Sequence, residues 1–535
     1  MRLRFRLQKY VRFLAIPSSL LALGVVSSAA VAQDNGAAEV SPAVQQGSLH
    51  SLRGVMPRPD DFSEGKREHP QHPLPMLDGP GSPDDPVVQS STLYQAPTFG
   101  SAVAGVGQGD YGFTVNSAPP DTNGAVGATQ YVQIVNESFA VFDKTTKAIV
   151  YGPVSTNTLW SNFGGPCQTD NDGDAVANYD KAAGRWVISQ FAVTAAPYYQ
   201  CVAISKTSDA TGGYWLYAFS YGSVFPDYPK VGIWPDGYYI TFNMFTGNTF
   251  SGARLCAYDR NKMLSGAAAT QQCFQLSSSF GGVLPSDVDG TTAPPAGSPN
   301  YLVNYGSSKL NLWKFHTDWT TPANTTLTGP TAIPVAGFTA ACSGGTCIPQ
   351  PGTRQQLDSL ADRLMYRLAY RNFTASPAHE SLVVTHSVKV GTNRKNPYTG
   401  IRWYEIRSPG TTPVVYQQST YAPDTNYRWM GSAAMDKQGN LAVGYSVSSA
   451  SVYPSISYTG RLVTDALNTL QTETLIKGGA GSQSGSNLSR WGDYSAMSVD
   501  PVDDCTFWYT NEYLKTTGAF NWSTAIASFK FSGCQ

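Results

Sequence analysis

Charged residues are scarce in this chain. Only 14% of its 535 residues are Asp, Glu, Lys or Arg, and it has just 6 His. It lacks a C-x-x-C pair, which argues against a zinc ribbon, a thioredoxin-like redox site and a c-type haem. It also lacks an H-E-x-x-H zinc motif and the G-x-S-x-G nucleophile elbow of α/β-hydrolase esterases. These absences exclude several common enzyme classes.

Long apolar runs and basic blocks are missing as well. The formal net charge is −1 and no Lys/Arg cluster stands out, so nucleic-acid binding is not expected. The longest apolar stretch, residues 13–26, is too short and too interrupted by Pro17 to span a membrane. It follows five Lys and Arg residues and precedes Ala30-Val31-Ala32, an A-x-A cleavage site. Residues 1–32 are therefore predicted to be a Sec-type signal peptide, whose removal gives an exported periplasmic or extracellular protein with a net charge of about −6.

The eight cysteines fit an oxidising compartment. They occur as four neighbouring pairs along the chain, which suggests four local bridges, although eight cysteines allow about 105 pairings. The expected pairs are Cys167–Cys201, Cys256–Cys273, Cys342–Cys347 and Cys505–Cys534.

Residues 33–118 differ from the rest of the chain. The stretch HPQHPLPMLDGPGSPDDP (69–86) is rich in Pro, Gly and Asp and has no hydrophobic periodicity. Such a segment is expected to be extended or disordered, either as a wrapping leader or as a cleaved pro-region.

From residue 119 onward, one pattern recurs. A polar start leads to a short apolar strand, a turn and a second strand that carries an amide or hydroxyl residue, as in RWGDYSAMSVDPVDD (490–504) followed by CTFWYTNEY (505–513). The second-strand positions recur about every 62 residues, which indicates a repeated supersecondary unit. They are Asn136, Gln190, Asn243, Asn304, Asn372, Ser446 and Asn511.

The repeat predicts an all-β fold, a seven-bladed β-propeller over residues 119–535 preceded by an extended N-terminal leader. The 51 Gly, 35 Pro and 12% aromatic residues agree with many short strands and turns. A β-helix would repeat at a much shorter period, and two sandwiches would not share one pattern throughout.

Four stretches of the sequence resemble known proteins: PPDTNGAVG, FPDYPKVGIWPD, LDSLADRLMYRLAYRNF and RWGDYSAMSVDP. In these the chain resembles secreted bacterial propeller proteins that are mostly uncharacterised, and more distantly it is similar to sialidase-like propellers. It departs from sialidases because it has no S-x-D-x-G-x-T-W Asp-box and no F-R-I-P stretch with its leading arginine. The resemblance therefore does not imply sialidase activity.

In a propeller, the first strands of the blades line a central channel, whose mouth commonly binds ligands. The repeat places acidic residues at or near six strand starts, where each could instead cap its own turn. They are Asp121, Asp174, Asp227, Asp287, Asp358 and Asp493. Asp493 and Asp227 are the first catalytic candidates, and Asp121 and Asp358 are expected to contact substrate.

Scarce residue types supply further candidates. Glu137 and Glu512 hold the same position in the first and last units, which ring closure makes neighbours, so they could form a glycosidic acid/base pair. Alternation along a strand could equally turn them toward a blade face. His386 is a candidate Brønsted base for a polysaccharide lyase, or otherwise a core histidine.

Two more groups could bind ligands. The DNDGD loop offers Asp170, Asp172 and Asp174 as hard oxygen donors for Ca²⁺, or as a hydrogen-bonded turn. Arginine could bind acidic groups and tryptophan could stack on a sugar, with inter-blade packing as the alternative. The residues considered for substrate binding in this way are Arg490, Trp491, Arg428, Trp429 and Arg367.

The sequence thus favours a secreted, monomeric enzyme that acts on an extracellular polysaccharide or glycan, as a glycoside hydrolase or a lyase. Calcium is the only cofactor suggested. A non-catalytic glycan- or protein-binding propeller and a structural cell-surface protein remain alternatives, because the enzymatic interpretation rests partly on analogy with other propellers.

Overall fold

The computed structural model describes residues 36–56, 65–75, 85–92, 97–391 and 397–535. The predicted signal peptide, residues 1–32, and most of the Pro/Gly-rich stretch around residues 76–84 lie outside the described residues. In the described part of the chain, no helix is both long and apolar enough to cross a membrane.

The backbone is organised as four-stranded antiparallel units, numbered here 1 to 7 in chain order. Unit 1 has strands Asn123–Val126, Gln130–Val135, Ser138–Asp143 and Ile149–Ser155; unit 2 has Val176–Asp180, Arg185–Ala192, Tyr198–Ser205 and Tyr214–Gly222; unit 3 has Phe225–Ile233, Tyr238–Thr246, Thr249–Tyr258 and Thr270–Gln275. Unit 4 has Leu284–Val288, Asn300–Gly306, Lys309–His316 and Thr326–Pro334; unit 5 has Met365–Phe373, His379–Val390, Tyr398–Arg407 and Val414–Tyr421. Unit 6 has Tyr427–Met435, Leu441–Ser448, Ser455–Arg461 and Thr474–Lys477; unit 7 has Ala496–Val499, Phe507–Leu514, Trp522–Lys530 and Thr98–Ala104.

The first strands of these units form a closed circle of neighbours. Each contacts the first strand of the next unit, and the first strand of unit 7 contacts that of unit 1. In units 4 and 5 the neighbouring first strands also pair in parallel, as Ser286 opposite Leu368. Sheets that radiate from a ring of inner strands are the architecture of a β-propeller.

Most strands are buried on both faces because each sheet packs between two others. In Tyr238–Thr246, for example, only the last residue is exposed. This packing needs apolar or satisfied polar side chains on both faces, which explains the low content of charged residues.

The described parts of the predicted leader join these sheets. Gln45–Leu49 extends unit 2 and Glu39–Pro42 extends unit 3 as a fifth strand, Val88–Gln89 pairs in parallel with unit 5, and Thr98–Ala104 is the outer strand of unit 7. An outer strand from the N-terminal region beside three C-terminal strands closes the ring. The short strand Arg67–Glu68 pairs with Ser117–Ala118.

One predicted strand position is corrected. Residues 364–373 were expected to hold the second strand of their unit, with Asn372 at its amide position. The structure makes Met365–Phe373 the first strand, followed by His379–Val390. A long insertion precedes this strand and contains the paired strands Thr346–Ile348 and Leu357–Asp358. Because the insertion lengthens the interval between units, the sequence spacing assigned Asn372 to the wrong strand.

Helices are short in the described residues: Pro166–Thr169 and Arg260–Ser265 are α-helical, and Leu52–Gly54, Asp110–Gly112, Thr156–Trp160, Pro322–Asn324 and Ala341–Gly344 are 3₁₀ turns. The four predicted disulfides are all formed: Cys167–Cys201, Cys256–Cys273, Cys342–Cys347 and Cys505–Cys534. Sequence proximity was therefore a sufficient guide to the pairing of cysteines.

Asp289 gives a prediction on acid stability. Burial opposes its ionisation, but Arg367, Lys181 and Arg371 lower its pKa to about 2. A carboxyl group whose folded-state pKa is depressed stabilises the protein above its unfolded pKa, and this contribution is lost as the pH falls from about 4 to about 2. Asp289→Asn is therefore expected to lower the free energy of unfolding at pH 7 by about 2 kcal/mol. Urea titrations at several pH values test this, and a difference between the two proteins that persists at pH 2 would contradict it.

Candidate functional site

A polar cavity of about 540 Å³ lies where the first strands begin. It is lined by acidic residues from units 1, 2, 3 and 7, by Arg363 and Arg490, and by residues 67–72 of the N-terminal region. The charged residues of the wall are Asp121, Asp172, Asp174, Asp227, Asp493, Arg363, Arg490, Arg67 and Glu68. The structure thus brings together four of the predicted strand-start aspartates, Asp121, Asp174, Asp227 and Asp493.

A repeated turn geometry brings these acids to one place. Asp121, Asp174 and Tyr228 each have a positive φ, between 45° and 57°, just before or at the start of a first strand. The amide of Asn136, directly after the second strand of unit 1, accepts a hydrogen bond from Asp174 N–H at 3.0 Å. In unit 3 the same role falls to Asn243, which accepts from Gly282 N–H at 2.8 Å, just before unit 4, where φ is +58°. The recurring amides therefore hold the next unit's strand start.

Two of the acids are fully engaged by such contacts. Asp121 accepts from Asp493 N–H at 2.7 Å with one oxygen and from Asn136 Nδ2 at 2.9 Å with the other. Asp358 accepts from Trp491 N–H at 3.1 Å and from Arg490 Nη1 at 2.9 Å. Both carboxylates connect units, so direct substrate binding by Asp121 and Asp358 is not supported by their geometry.

Three other carboxylates keep an oxygen without a hydrogen bond among the described residues. Asp493 uses Oδ1 for Arg490 Nη1 at 2.7 Å, and Asp174 uses Oδ2 for Tyr228 N–H at 3.0 Å. Asp227 places Oδ1 at 3.6 Å from Nδ1 of His72. The remaining oxygens of Asp493, Asp174 and Asp227 are available to a molecule in the cavity.

The surroundings of these acids shift their pKa values in opposite directions. Burial opposes ionisation of Asp493, but the neighbouring Arg490 brings its pKa below the usual value. Burial raises the pKa of Asp174, and the charges of Asp227 and Asp493 add to the rise against the opposing effect of Lys230. Burial and the charge of Asp493 hold the pKa of Asp121 well above its usual range. A pair of carboxyl groups separated in this way is how proteins create an acid and a base in one site.

Lys230 is a functional candidate that sequence reasoning missed. Its side chain is fully buried, and its Nζ lies 3.4 Å from the ring centroid of Tyr228 and 3.9 Å from that of Tyr494. Burial lowers its pKa to about 8 against the opposing charges of Asp174 and Asp121. The available signal was a single cation, three residues after Asp227, in the run FPDYPKVGIW.

The N-terminal region crosses this cavity. The crossing segment, residues 65–75, receives hydrogen bonds on the carbonyl oxygens of His69 and His72 from Arg490 at 3.0 Å and Arg363 at 3.2 Å. Leu74 N–H donates to Asp362 at 2.8 Å. The neighbouring carboxylate of Asp227 raises the pKa of His72. Sequence reasoning assigned this Pro-rich segment no place in the site because it has no periodicity.

Glu137 and Glu512 do not form the predicted acid/base pair in the cavity wall. Glu137 forms ion pairs with Arg67 and with His69, the latter at 2.9 Å. Burial opposes ionisation of Glu137, but these two partners lower its pKa below the usual value. Glu512 accepts from Gly492 N–H at 2.9 Å, and burial holds its pKa well above the usual range. Neither residue is among those that line the cavity.

The predicted calcium ligands face separate partners. Asp170 accepts from Thr169 Oγ1 at 2.7 Å, Asp172 from Val193 N–H at 2.6 Å, and Asp174 from Tyr228 N–H. Within the described ranges, no group of three or more His, Cys, Asp or Glu residues is arranged to hold a metal ion. Calcium binding by these residues stays a sequence prediction.

Three predicted substrate-binding residues are corrected because they are buried in packing. Trp491 donates its indole N–H to Ser446 Oγ at 3.1 Å and packs 5.5 Å from the ring of Trp429, and both rings are 0% exposed. Arg428 is paired with Asp424 at 2.8 Å and Glu473 at 2.7 Å. None of Trp491, Trp429 and Arg428 reaches the cavity, so the inter-blade packing alternative applies.

Arg367 and His386 are also core residues. Arg367 pairs with Asp287 at 2.7 Å and Asp289 at 2.6 Å. His386 is fully buried, with Nε2 at 2.9 Å from the hydroxyl of Tyr404, and burial lowers its pKa well below the usual value. A buried neutral imidazole outside the cavity wall cannot abstract a substrate proton, which corrects its prediction as the lyase base. Of the predicted arginines, Arg490 alone is part of the wall.

Comparisons with known proteins show no family. No protein-family model and no curated protein matches the chain. Among solved structures, the WD40 domain of SCAP from fission yeast is 8% identical with a TM-score of 0.31, over 75% of this chain and 79% of that chain. An exo-β-1,3-galactanase from Clostridium thermocellum is 10% identical with a TM-score of 0.30, over 83% of this chain and 97% of that chain. A Dyadobacter fermentans protein of unknown function is 9% identical with a TM-score of 0.24, over 85% and 100%. At these values the similarities assign no function.

Proposed function

We propose that this chain is a secreted carbohydrate-active enzyme, a glycoside hydrolase whose site is the acidic cavity. One observation carries the proposal: Asp493 and Asp174 share the cavity wall, each keeps an oxygen that no described residue binds, and their pKa values are shifted in opposite directions. Perturbed acids gathered in a polar cavity are typical of functional sites.

The chemistry follows from these shifts. Asp174, which retains its proton longer, acts as the general acid, and Asp493 acts as the base. The bond between C1 and the glycosidic oxygen breaks, and that oxygen takes the electron pair and the proton of Asp174. A water molecule adds to C1, and its proton passes to Asp493. Solvent then returns both carboxyl groups to their starting states, so the net reaction is the addition of water.

The proposal includes a seven-bladed propeller, with each of units 1 to 7 as one blade. Its support is the closed circle of first strands and the outer strand Thr98–Ala104, which completes unit 7. Secretion is supported by the four disulfides and by the signal-like sequence of residues 1–32.

A non-catalytic binding propeller is the second candidate. The observation that favours it is the crossing segment, an extended stretch of the chain's own backbone held in the cavity by Arg490 and Arg363. A mouth that holds one extended peptide through its carbonyl groups could hold another. The lyase interpretation is weaker because His386 lies in the core.

A substrate screen separates these candidates. The mature protein and its Asp493→Asn variant are incubated with a panel of neutral, acidic and sulfated polysaccharides, and reducing ends and absorbance at 232 nm are followed. We expect new reducing ends without 232-nm absorbance from the wild type alone. Silence of both proteins across the panel, together with saturable binding of a peptide or glycan, would support the binding candidate instead. A rise at 232 nm would identify a lyase.

A further inference from the structure

Lys230 lies at the base of the acidic residues but makes no ion pair within 4.0 Å with any described residue. Its one hydrogen bond is to the carbonyl oxygen of Pro229 at 3.0 Å. It is fully buried, in a first strand of the ring, with Tyr228 and Tyr494 on either side of its ammonium group. A buried, unpaired ammonium group is costly, and proteins retain one where it has a function.

The charged and titratable groups around it come from five units. Asp227 and Tyr228 belong to its own strand start, Asp174 precedes the first strand of unit 2, and Asp121 precedes that of unit 1. Asp493 and Tyr494 come from the start of unit 7, and Arg363, just before unit 5, packs 4.5 Å from the ring centroid of Tyr228.

We propose that Lys230 is a positioning residue, the resident counter-ion of the cavity, whose charge compensates the carboxylates gathered at the strand starts. The two tyrosine rings hold the ammonium group by cation–π contact and prevent it from pairing with any single carboxylate. Its charge therefore acts on several carboxylates, and the ammonium group does not bind the oxygens that a substrate needs. The inference deepens the proposed function and rests on it for its catalytic consequence only.

Lys230 shifts the pKa values of both acids in the same direction. The positive charge of Lys230 lowers the pKa of Asp493 and that of Asp174. Lys230→Met removes the charge and keeps most of the side-chain volume, so both pKa values rise. With Asp493 as base and Asp174 as acid, both limbs of the pH profile of kcat/KM are expected to shift to higher pH.

The first measurement needs no substrate. In protein labelled with ¹³C at the lysine ε-carbon, Lys230 is identified by its ring-current shift and by its loss in Lys230→Met. We expect its resonance to titrate near pH 8, and Asp174→Asn to move the midpoint to lower pH. A midpoint above pH 10 in the wild type would overturn the proposal even if Lys230→Met failed to fold.

The second measurement compares Lys230→Met with Lys206→Met. Lys206 also lies over an aromatic ring, 4.0 Å from Trp215, but burial alone shifts its pKa, without the acids that surround Lys230. Lys230→Met is expected to lose unfolding free energy more steeply than the wild type between pH 5 and 8, because its acids have higher folded-state pKa values. Lys206→Met is expected to follow the wild type. Parallel curves for all three proteins would refute the counter-ion role. Titration of Lys230 near pH 8 with no turnover on any substrate would instead refute the proposed enzyme and leave the counter-ion intact.

Discussion

Asp174→Asn is expected to abolish hydrolysis and to leave the fold at least as stable at pH 7. Loss of a general acid typically lowers kcat by about 10²–10⁴-fold. The asparagine side-chain oxygen can still accept the hydrogen bond from Tyr228 N–H, which the aspartate accepts at 3.0 Å. The variant therefore removes a proton donor while retaining the turn that positions it.

The stability change has a defined sign. The folded-state pKa of Asp174 is raised above its unfolded value, mainly by burial. The stability of such a group is present below pH 4 and is lost as the pH rises through the folded-state pKa, so a neutral side chain relieves the cost at pH 7. We expect an unchanged or higher urea midpoint at pH 7 and a flatter dependence on pH.

Asp289→Asn is the matched control. It is also a buried aspartate, but its pKa is lowered to about 2, and it pairs with Arg367 and with Lys181 at 2.6 Å. It should lose stability and keep most of its turnover, the reverse of Asp174→Asn. Equal destabilisation by both substitutions, with activity retained in both, would show that the acids at the mouth are only architectural.

Arg367→Met is expected to produce the largest loss of stability. Arg367 is fully buried in the first strand of unit 5 and bridges Asp287 and Asp289 of unit 4 and the carbonyl oxygen of Met497 in unit 7, at 2.9 Å. Removing one partner of a buried ion pair costs about 3–5 kcal/mol because the other charge stays buried without compensation. Here two carboxylates lose their shared partner at once.

Chemical denaturation at pH 7 measures this effect against Arg53→Met. Arg53 also pairs with an aspartate, Asp209 at 3.2 Å, but its side chain is 65% exposed. Exposed pairs contribute about 1 kcal/mol or less, so this control should unfold close to the wild type. If Arg367→Met unfolded at the same urea concentration as Arg53→Met, the buried bridge between units would not stabilise the ring.

Local patterns in the sequence determined the sheets, the repeat and the disulfides. Alternating apolar residues between Gly- and Asp-containing turns specify strands because strand side chains alternate between two faces. Asn136 and Asn243 marked the repeat because each binds the backbone of the following unit. The pairs such as Cys505–Cys534 join segments that are already close along the chain.

The site required the tertiary structure because its members are far apart in sequence and its selection depends on burial. Asp121 and Asp493 are 372 residues apart, and only the folded structure shows that the carboxylate of Asp121 accepts a hydrogen bond from the backbone N–H of Asp493. Trp491 lies two residues before Asp493 and was predicted to stack on a sugar, but its side chain points into the core. His72 lacks any periodic context and enters the site only because the crossing segment is held by Arg490 and Arg363. The sequence by itself determined which acids could meet at the strand starts; the folded ring decided which keep a free oxygen, because desolvation and pairing depend on neighbours from other units.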